Sequence, residues 1–248
     1  MCRMALLKGE FSEDFAGIFK SLQKASLKDP LPDPESDYRF LTHGDGWGYV
    51  NIGKAGISHV RNTSPIYVSE VPAVQQGTMM LHSRKTSDDQ PGGMLSNHPF
   101  SVSVRGYQLF LSHNGWFDKY SMNTGESRED LEATTDSEVF LQYLAGKTSD
   151  VGSELEHVFA NLDTDGVEYA LSNIFLIIMK RSGEREGARS YYFTDKGSRG
   201  GNYEEFDKLY RIECKSWKGV VSSSLLNFDE FPEFDAREEI KRGTLFEL

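Results

Sequence analysis

The chain has 248 residues and a formal net charge of −11, and 38% of its residues are hydrophobic. This length allows one layered domain with a substantial core, and we expect a single domain over residues 1–248. The acidic excess disfavours nucleic acid and anionic membrane surfaces as partners, because both are bound through clustered positive charge. No apolar run reaches membrane-spanning length, and Cys2 and Cys214 give no disulfide framework, so we expect a cytoplasmic protein.

The first half of the chain is predicted to hold one helix and several short strands. An opening strand over residues 2–7 precedes an amphipathic helix over residues 12–28, which Ser12 would cap. A proline-rich loop over residues 29–34 ends this helix. Alternation and turn residues then predict strands at 57–61, 66–69, 78–84, 101–104 and 108–112, with turns at 53–56 and 105–107 and a loop at 87–97.

The second half is predicted to begin with helices and to end with strands. The sequence Thr135-Asp136-Ser137-Glu138 has the capping-box form, so a helix should begin there. A further helix is expected over residues 153–162. Strands are expected at 173–180, 190–194, 209–214 and 217–221, with a charged connection at 181–189. This succession predicts an α+β fold of mixed sheets with helices packed on them.

Cys2 follows the initiator methionine directly. Removal of Met1, which the small Cys2 side chain permits, would leave a thiol and a free α-amine on one residue. An α-amine titrates near pH ~8 and a thiol near pH ~8.5, so the amine can accept the thiol proton near neutral pH. Cys2 is therefore a candidate nucleophile that carries its own base. The alternative is a buried and inert cysteine at the start of a strand.

His82 and Arg84 stand two residues apart at the end of an apolar predicted strand. Alternate residues of a strand share a face, so both side chains are expected to point the same way. If that face borders a cleft, Arg84 can hold a substrate carboxylate through two parallel hydrogen bonds. The alternative is a surface arginine beside a structural histidine.

Asn114 and Gly115 follow the predicted strand at 108–112. An Asn-Gly pair ordinarily makes a turn. The functional interpretation is that the Asn114 side-chain amide and the Gly115 backbone N–H point at one oxygen and form an oxyanion hole. Glycine would also let the backbone approach a substrate closely.

Asp136 lies in the first turn of the helix predicted from residue 135. Thr135 and Glu138 are explained by capping of free N–H groups and by the helix dipole. Asp136 remains available for a ligand, and an anion at a helix start that faces a cleft could hold an ammonium group. Arg84 and Asp136 together would bind the two charged ends of an α-amino acid.

Six motifs occur along the chain in one informative order. They are Met1-Cys2-Arg3, His43-Gly44-Asp45-Gly46-Trp47-Gly48, His82-Ser83-Arg84, Asn97-His98-Pro99-Phe100, His113-Asn114-Gly115 and Thr135-Asp136-Ser137-Glu138. In this order the chain resembles the class II glutamine amidotransferases, and most of all their stand-alone branch. The resemblance implies an N-terminal-nucleophile hydrolase fold, a four-layer αββα sandwich of two mostly antiparallel sheets. It also implies Cys2 as the nucleophile, Arg84 and Asp136 as glutamine holders, and Asn114 with Gly115 as the oxyanion hole.

The remaining expected substrate-binding residues surround these motifs. Thr86 and Ser87 follow Arg84, but the intervening residue is Lys85, where the family usually has a small residue before threonine. His82 and Trp47, the latter at the end of the glycine-rich stretch 44–48, complete the expected set. The histidines and cysteines show no metal-ligand spacing, so neither a metal nor a cofactor is expected.

The expected reaction is hydrolysis of the glutamine side-chain amide through a γ-glutamyl thioester, with release of ammonia. One alternative keeps this machinery but acts on a γ-glutamyl amide or peptide, because Arg84 and Asp136 recognise only the α-amino acid end. A second alternative is a non-catalytic member that binds glutamine or a partner and retains Met1, which blocks the α-amine. The length leaves no room for a synthetase domain, so ammonia would be released or passed to a separate synthetase or transferase subunit, and an oligomer is allowed.

Overall fold

A computed structural model describes residues 1–32, 41–87, 90–148, 150–181, 188–197 and 199–248, leaving aside the side chains of residues 151 and 152. The chain forms two compact units. The first unit comprises Met1–Ser87, Gly92–Pro99 and Asn202–Ile240, and the second comprises Asp88–Pro91, Phe100–Gly201 and Lys241–Leu248. The expectation of a single domain over residues 1–248 stays a prediction.

The regular elements follow one another as strands, then helices, then strands again. The strands are β1 (Arg3–Gly9), β2 (Trp47–Gly53), β3 (Gly56–Asn62), β4 (Gly77–Ser83), β5 (Phe100–Val104), β6 (Tyr107–Phe117), β7 (Tyr169–Lys180), β8 (Arg189–Lys196), β9 (Leu209–Glu213), β10 (Trp217–Ser222), β11 (Ala236–Glu239) and β12 (Phe246–Glu247). The α-helices are α1 (Phe15–Leu27), α2 (Arg128–Ala133), α3 (Asp136–Lys147) and α4 (Val151–Ala160).

The first unit is built on a seven-stranded antiparallel sheet with the order β11-β9-β10-β1-β4-β2-β3. The opening strand β1 is the central strand, and it pairs with β10 on one side and β4 on the other. Ala5 lies opposite Val221 in β10 and opposite Leu81 in β4. Hydrogen bonds on both sides therefore fix the main chain directly after Cys2.

Helix α1 covers one face of this sheet. Its residues Phe15, Ile18, Phe19 and Leu22 are buried at helical spacing and share a core with strand residues such as Leu81. Burial of each such side chain contributes roughly 1.5–3 kcal/mol. The expected Ser12 cap is wrong, because the helix begins at Phe15 and its N-terminal flanking residue makes no side-chain cap.

The second unit is built on a five-stranded antiparallel sheet with the order β12-β8-β7-β6-β5. Helices α3 and α4 pack on it and share its core. Phe117 of β6 stacks on Phe140 of α3 with ring centroids 4.3 Å apart, and Phe159 of α4 meets Phe193 of β8 at 4.9 Å. The helices are thus anchored to the sheet by aromatic contacts.

Several predicted elements differ from the structure. The strand expected at 66–69 is a short 3-10 helix at Ile66–Val68, because Pro65 precedes it and its N–H groups bond locally. Strand β6 continues to Phe117 instead of ending at residue 112. Helix α2 and strands β11 and β12 were not predicted from the sequence. Most of the charged connection at 181–189, and the end of the proline-rich loop, lie outside the described residues.

Two antiparallel sheets with a few helices make the expected α+β fold, which is confirmed. In the part of the chain that the structure describes, no helix has the length and apolar character needed to cross a membrane.

Candidate active site

Cys2 lies immediately before the central strand of the first unit and is buried. Its sulfur is 3.4 Å from the backbone nitrogen of Lys85, which donates to it, and 3.4 Å from the Lys85 carbonyl oxygen, which can accept the thiol proton. Strand pairing explains this contact. Arg3 of β1 lies opposite Ser83 of β4, so Cys2 and the residues that follow Ser83 are neighbours. The structure therefore brings Cys2 next to the segment that follows β4.

Arg84 is the first residue after β4, which ends at Ser83. The strand alternation that would place the Arg84 and His82 side chains on one face therefore does not extend to Arg84. The Arg84 side chain is buried, and its backbone is held by Gly46 O at 2.8 Å and Asp45 N at 3.1 Å. His82 packs its ring on that of His98 with centroids 4.1 Å apart. His82 thus has a packing partner in the first unit, while Arg84 is fixed by its main chain.

The loop after Arg84 is organised by Asp45. The carboxylate accepts a hydrogen bond from Thr86 N at 2.8 Å and lies 3.6 Å from the ammonium of Lys85. Thr86 is half-buried and Ser87 is exposed. Lys85 is the residue whose backbone contacts the Cys2 thiol.

Trp47 lies in the hydrophobic core of the first unit. Its ring stacks on Tyr49 at 6.0 Å and meets Phe19 of α1 edge-on at 5.4 Å. These contacts hold the Trp47 ring between the sheet and α1, and its expected part in substrate binding stays a prediction.

A buried polar network beneath Cys2 was not predicted from the sequence. It consists of Arg3, Asp29 and His43, all fully buried in the first unit. Asp29 Oδ2 lies 2.5 Å from Arg3 Nε and 3.0 Å from His43 Nε2. His43 belongs to a quoted motif and Arg3 to another, but their pairing through Asp29 depends on the fold and leaves no local sequence pattern.

In the second unit, Asn114 and Gly115 lie inside strand β6 and do not form a turn. They pair with Asn173 and Ser172 of β7, and the register shifts between Gly115 and Phe117. Gly115 has a φ of +152°, and a Cβ there would lie 1.8 Å from the Leu171 carbonyl oxygen. Only glycine fits this backbone, and it stands next to a β-bulge or similar irregularity in the pairing of β6 with β7.

Asp136 is the first residue of α3, and its buried carboxylate is tied to β6. Oδ2 accepts from Phe117 N at 2.9 Å, while Oδ1 accepts from Ser137 N at 2.8 Å and from Ser137 Oγ at 3.2 Å. An ionised carboxylate has about four acceptor positions, so the described residues leave one for a ligand. Phe117, two residues after Gly115 in β6, thus ties the start of α3 to this strand.

His113 supports the start of α3 from β6. Its Nδ1 lies 2.9 Å from Ser137 Oγ, and its ring packs on Phe117 at 4.8 Å. Burial lowers the pKa of His113, although the Asp136 carboxylate opposes the shift. A neutral imidazole here helps to fix the orientation of Ser137 beside Asp136.

The second cysteine, Cys214, has a different environment from Cys2. Cys214 follows β9, is half-buried, and donates to the Glu233 carbonyl at 3.6 Å. Burial raises the pKa of its thiol to about 11, so it stays protonated near neutral pH. Within the described ranges, no group of three or more His, Cys, Asp or Glu side chains is arranged to hold a metal ion.

Comparison with known proteins adds information on the fold. No protein-family model and no curated protein sequence matches the chain. Among solved structures, the chain is similar to glutamine phosphoribosylpyrophosphate amidotransferase from B. subtilis, complexed with ADP and GMP, with a TM-score of 0.57 at 11% sequence identity. The match covers 100% of this chain and 49% of that one, so the chain spans about half the length of that structure.

A predicted glutamine amidotransferase from Pseudomonas aeruginosa PA01 also matches, with a TM-score of 0.46 at 13% identity, over 100% of this chain and 93% of that one. At these identities the likeness concerns the fold. The similarity to the B. subtilis structure agrees with the α+β fold of two antiparallel sheets with a few helices, and at the level of the fold the resemblance inferred from the motifs is confirmed.

Proposed function

We propose that the chain hydrolyses the side-chain amide of glutamine, with Cys2 as an N-terminal nucleophile after removal of Met1. The observation that carries this proposal is the position of Cys2. In a chain of this fold, it precedes the central strand of the seven-stranded sheet, with its thiol held by the residue that follows Arg84.

The first chemical step needs a base close to the sulfur. The free α-amine of Cys2 takes the thiol proton, and the sulfur forms a bond to the amide carbon of glutamine. The tetrahedral intermediate then collapses, the proton passes from the amine to the leaving nitrogen, and ammonia departs. Water, deprotonated by the same amine, cleaves the γ-glutamyl thioester and releases glutamate.

The negative oxygen of the intermediate is assigned to Asn114 and Gly115. The register of β6 and β7 shifts directly after Gly115, and this local irregularity supports Gly115 as the backbone donor to the oxyanion. Removal of one such donor costs on the order of 10²–10³ in rate in known hydrolases.

The α-amino acid end of the substrate is assigned to Arg84 and Asp136. Arg84 supplies a planar guanidinium with five N–H donors for the carboxylate. Asp136 keeps one acceptor position for the ammonium group after its three internal hydrogen bonds. Thr86 and Ser87 belong to the same proposed site through the loop that Asp45 orders, and His82 supports it from β4.

The proposal is tested by glutaminase assays on purified chain whose intact mass shows that Met1 is absent. Cys2→Ala should lower kcat by about 10⁴-fold or more, because it removes the nucleophile. The matched control Cys214→Ser should leave kcat unchanged, since the Cys214 thiol is protonated near neutral pH. Undiminished turnover in Cys2→Ala would refute the mechanism.

The same assay separates the substrate classes. Turnover of γ-glutamyl peptides without turnover of free glutamine would assign the machinery to a γ-glutamyl amide or peptide hydrolase. We propose that the reaction takes place in the cytoplasm and that ammonia is released or passed to a separate synthetase or transferase subunit. A subunit that co-purifies with the native chain and consumes ammonia would identify the acceptor.

A further inference from the structure

The buried network of Arg3, Asp29 and His43 lies outside the set of residues assigned to the proposed reaction. Asp29 is its centre and uses both oxygens. Oδ2 faces Arg3 Nε and His43 Nε2, while Oδ1 accepts from Ser224 Oγ at 2.7 Å and from Leu31 N at 3.0 Å. The carboxylate is therefore fully hydrogen-bonded and cannot rotate without breaking several contacts.

The other ends of the network hold the main chain on both sides of Cys2. Arg3 donates from Nη1 to the Cys2 carbonyl oxygen at 2.9 Å, and His43 Nδ1 lies 2.6 Å from the Met1 carbonyl oxygen. The His43 backbone is itself fixed, since its N–H donates to Ser26 O at 2.7 Å and its carbonyl accepts from Ser83 Oγ at 3.2 Å. The network is thus a rigid cradle for the Met1–Cys2 peptide.

While Met1 is present, a neutral His43 has too few N–H donors for the two oxygens that its ring nitrogens face. Burial, opposed by the hydrogen bond to Asp29 and assisted by the charge of Arg3, lowers the pKa of His43 to about 4. Near neutral pH the imidazole is neutral and carries one N–H. His43 faces two oxygens, Asp29 Oδ2 and Met1 O, and can donate to only one of them.

Removal of Met1 removes the second oxygen and leaves an amine in its vicinity. The nitrogen of Cys2 lies about 2.2 Å from the Met1 carbonyl oxygen by covalent geometry. The freed amine therefore starts within a small displacement of His43 Nδ1. An amine is a donor, whereas the lost carbonyl was an acceptor, so a neutral imidazole with its proton on Nε2 satisfies both neighbours.

The geometry points to His43 as a positioning residue for the Cys2 α-amine in the processed chain. His43 donates Nε2–H to Asp29, and its Nδ1 accepts an N–H from the amine. This inference rests on the proposed function and adds to it the group that orients the base. With one N–H held by His43, the lone pair of the neutral amine stays available for the thiol proton.

The surroundings support a neutral acceptor at this position. The charged groups that face the imidazole are Asp29 after α1, Arg3 at the start of β1, and the N-terminal amine. The Arg3 guanidinium disfavours a second positive charge on His43, and Asp29 keeps the remaining proton on Nε2. A purely structural His43 would instead keep its Nδ1 proton for a carbonyl.

The first test reads the protonated nitrogen directly by NMR of ring-labelled histidine, with the His43 signal assigned by its loss in His43→Leu. The sample is Met1-processed Cys2→Ala, which has no turnover but keeps the α-amine. At neutral pH we expect the neutral tautomer with the proton on Nε2. A proton on Nδ1 in the processed chain would overturn the inference.

The second test uses kinetics of the full, Met1-processed chain. His43→Leu removes the acceptor and should lower kcat for glutamine about 10-fold or more, with KM within about 2-fold, since only the base is misplaced. His43→Asn keeps an oxygen near the Nδ1 position and should recover part of this loss. The control His59→Leu loses a histidine that donates to Pro99 O at 2.8 Å, and it should behave as wild type.

The outcomes separate the inference from the proposed function. A folded His43→Leu with wild-type kcat would contradict the positioning role, and if that variant does not fold, His43→Asn and the NMR tautomer decide. A processed wild-type chain without any glutaminase activity would refute the proposed function. The NMR measurement needs no turnover and would still establish or refute the contact between His43 and the amine.

Discussion

The carboxylate of Asp29 shows how this chain keeps charge in its core. Burial raises the pKa of Asp29, but the Arg3 guanidinium and the hydrogen bond from His43 lower it, and the net result is about 2. Arg3 also lies 3.8 Å above the ring of Phe206. Removal of one partner from such a buried pair costs roughly 3–5 kcal/mol, so the network should be intolerant of substitution.

His43 gives the chain a stability that depends on pH. Its pKa is about 4 in the folded chain and 6.5 ordinarily, so the unfolded chain binds more protons between these values. Stability is therefore complete above pH 6.5 and falls as the pH decreases towards 4. We expect His43 to account for roughly 2–3 kcal/mol of lost unfolding free energy over this window. The stability that Asp29 contributes is complete above its ordinary pKa of 3.8 and is lost only as the pH falls from there towards 2.

Urea unfolding at about pH 7 and pH 4.5 measures this difference. His43→Leu should lose most of the pH dependence in this window, whatever its absolute stability. The control His157→Gln changes an exposed histidine of α4 and should retain it. An unchanged pH dependence in His43→Leu would show that the imidazole is not held neutral by burial.

At the scale of elements, the start of α3 contributes both to the stability of the fold and to the proposed site. Thr135 caps the helix, and its hydroxyl accepts from Glu138 N at 3.2 Å. Thr135→Ala should lower the free energy of unfolding by about 1 kcal/mol, because a backbone N–H loses its partner. It should also raise KM for glutamine, since Asp136 is the next residue.

A matched control is available at α2. Ser127 caps that helix in the same way and accepts from Asp130 N at 3.2 Å. Ser127→Ala removes the same interaction from a helix that carries none of the proposed binding residues, so KM should not change. Equal KM values for both alanine variants would argue against Asp136 as a ligand for the substrate ammonium group.

Local sequence patterns predicted most elements because they report burial and turns. The Gly53 to Gly56 turn, the Thr135 cap and the apolar strands are all local features, and they appear in the structure. Strand β6 ran past its predicted end because Asn114 and Gly115 pair with β7, a partner almost sixty residues away in the chain. Propensity for a turn was overridden by pairing in the sheet.

At the scale of the whole molecule, the fold class could be predicted and the polar core could not. The order of motifs indicated the α+β fold that the sheets confirm. The contact of Cys2 with Lys85, and the pairing of Arg3 with His43 through Asp29, join residues far apart in sequence. Such contacts depend on which strands are neighbours in the sheet, and the periodicity of one sequence carries no information about strand order.

The central claim is that Cys2, freed of Met1, is the nucleophile for glutamine. The most direct measurement is mass spectrometry of the N-terminal peptide after incubation with an electrophilic glutamine analogue that inactivates the enzyme. We predict a peptide that begins with Cys2 and carries one analogue, with Cys214 unmodified and free glutamine protecting against the reaction. An inactivated chain with an unmodified Cys2, or an active chain that retains Met1, would contradict the claim.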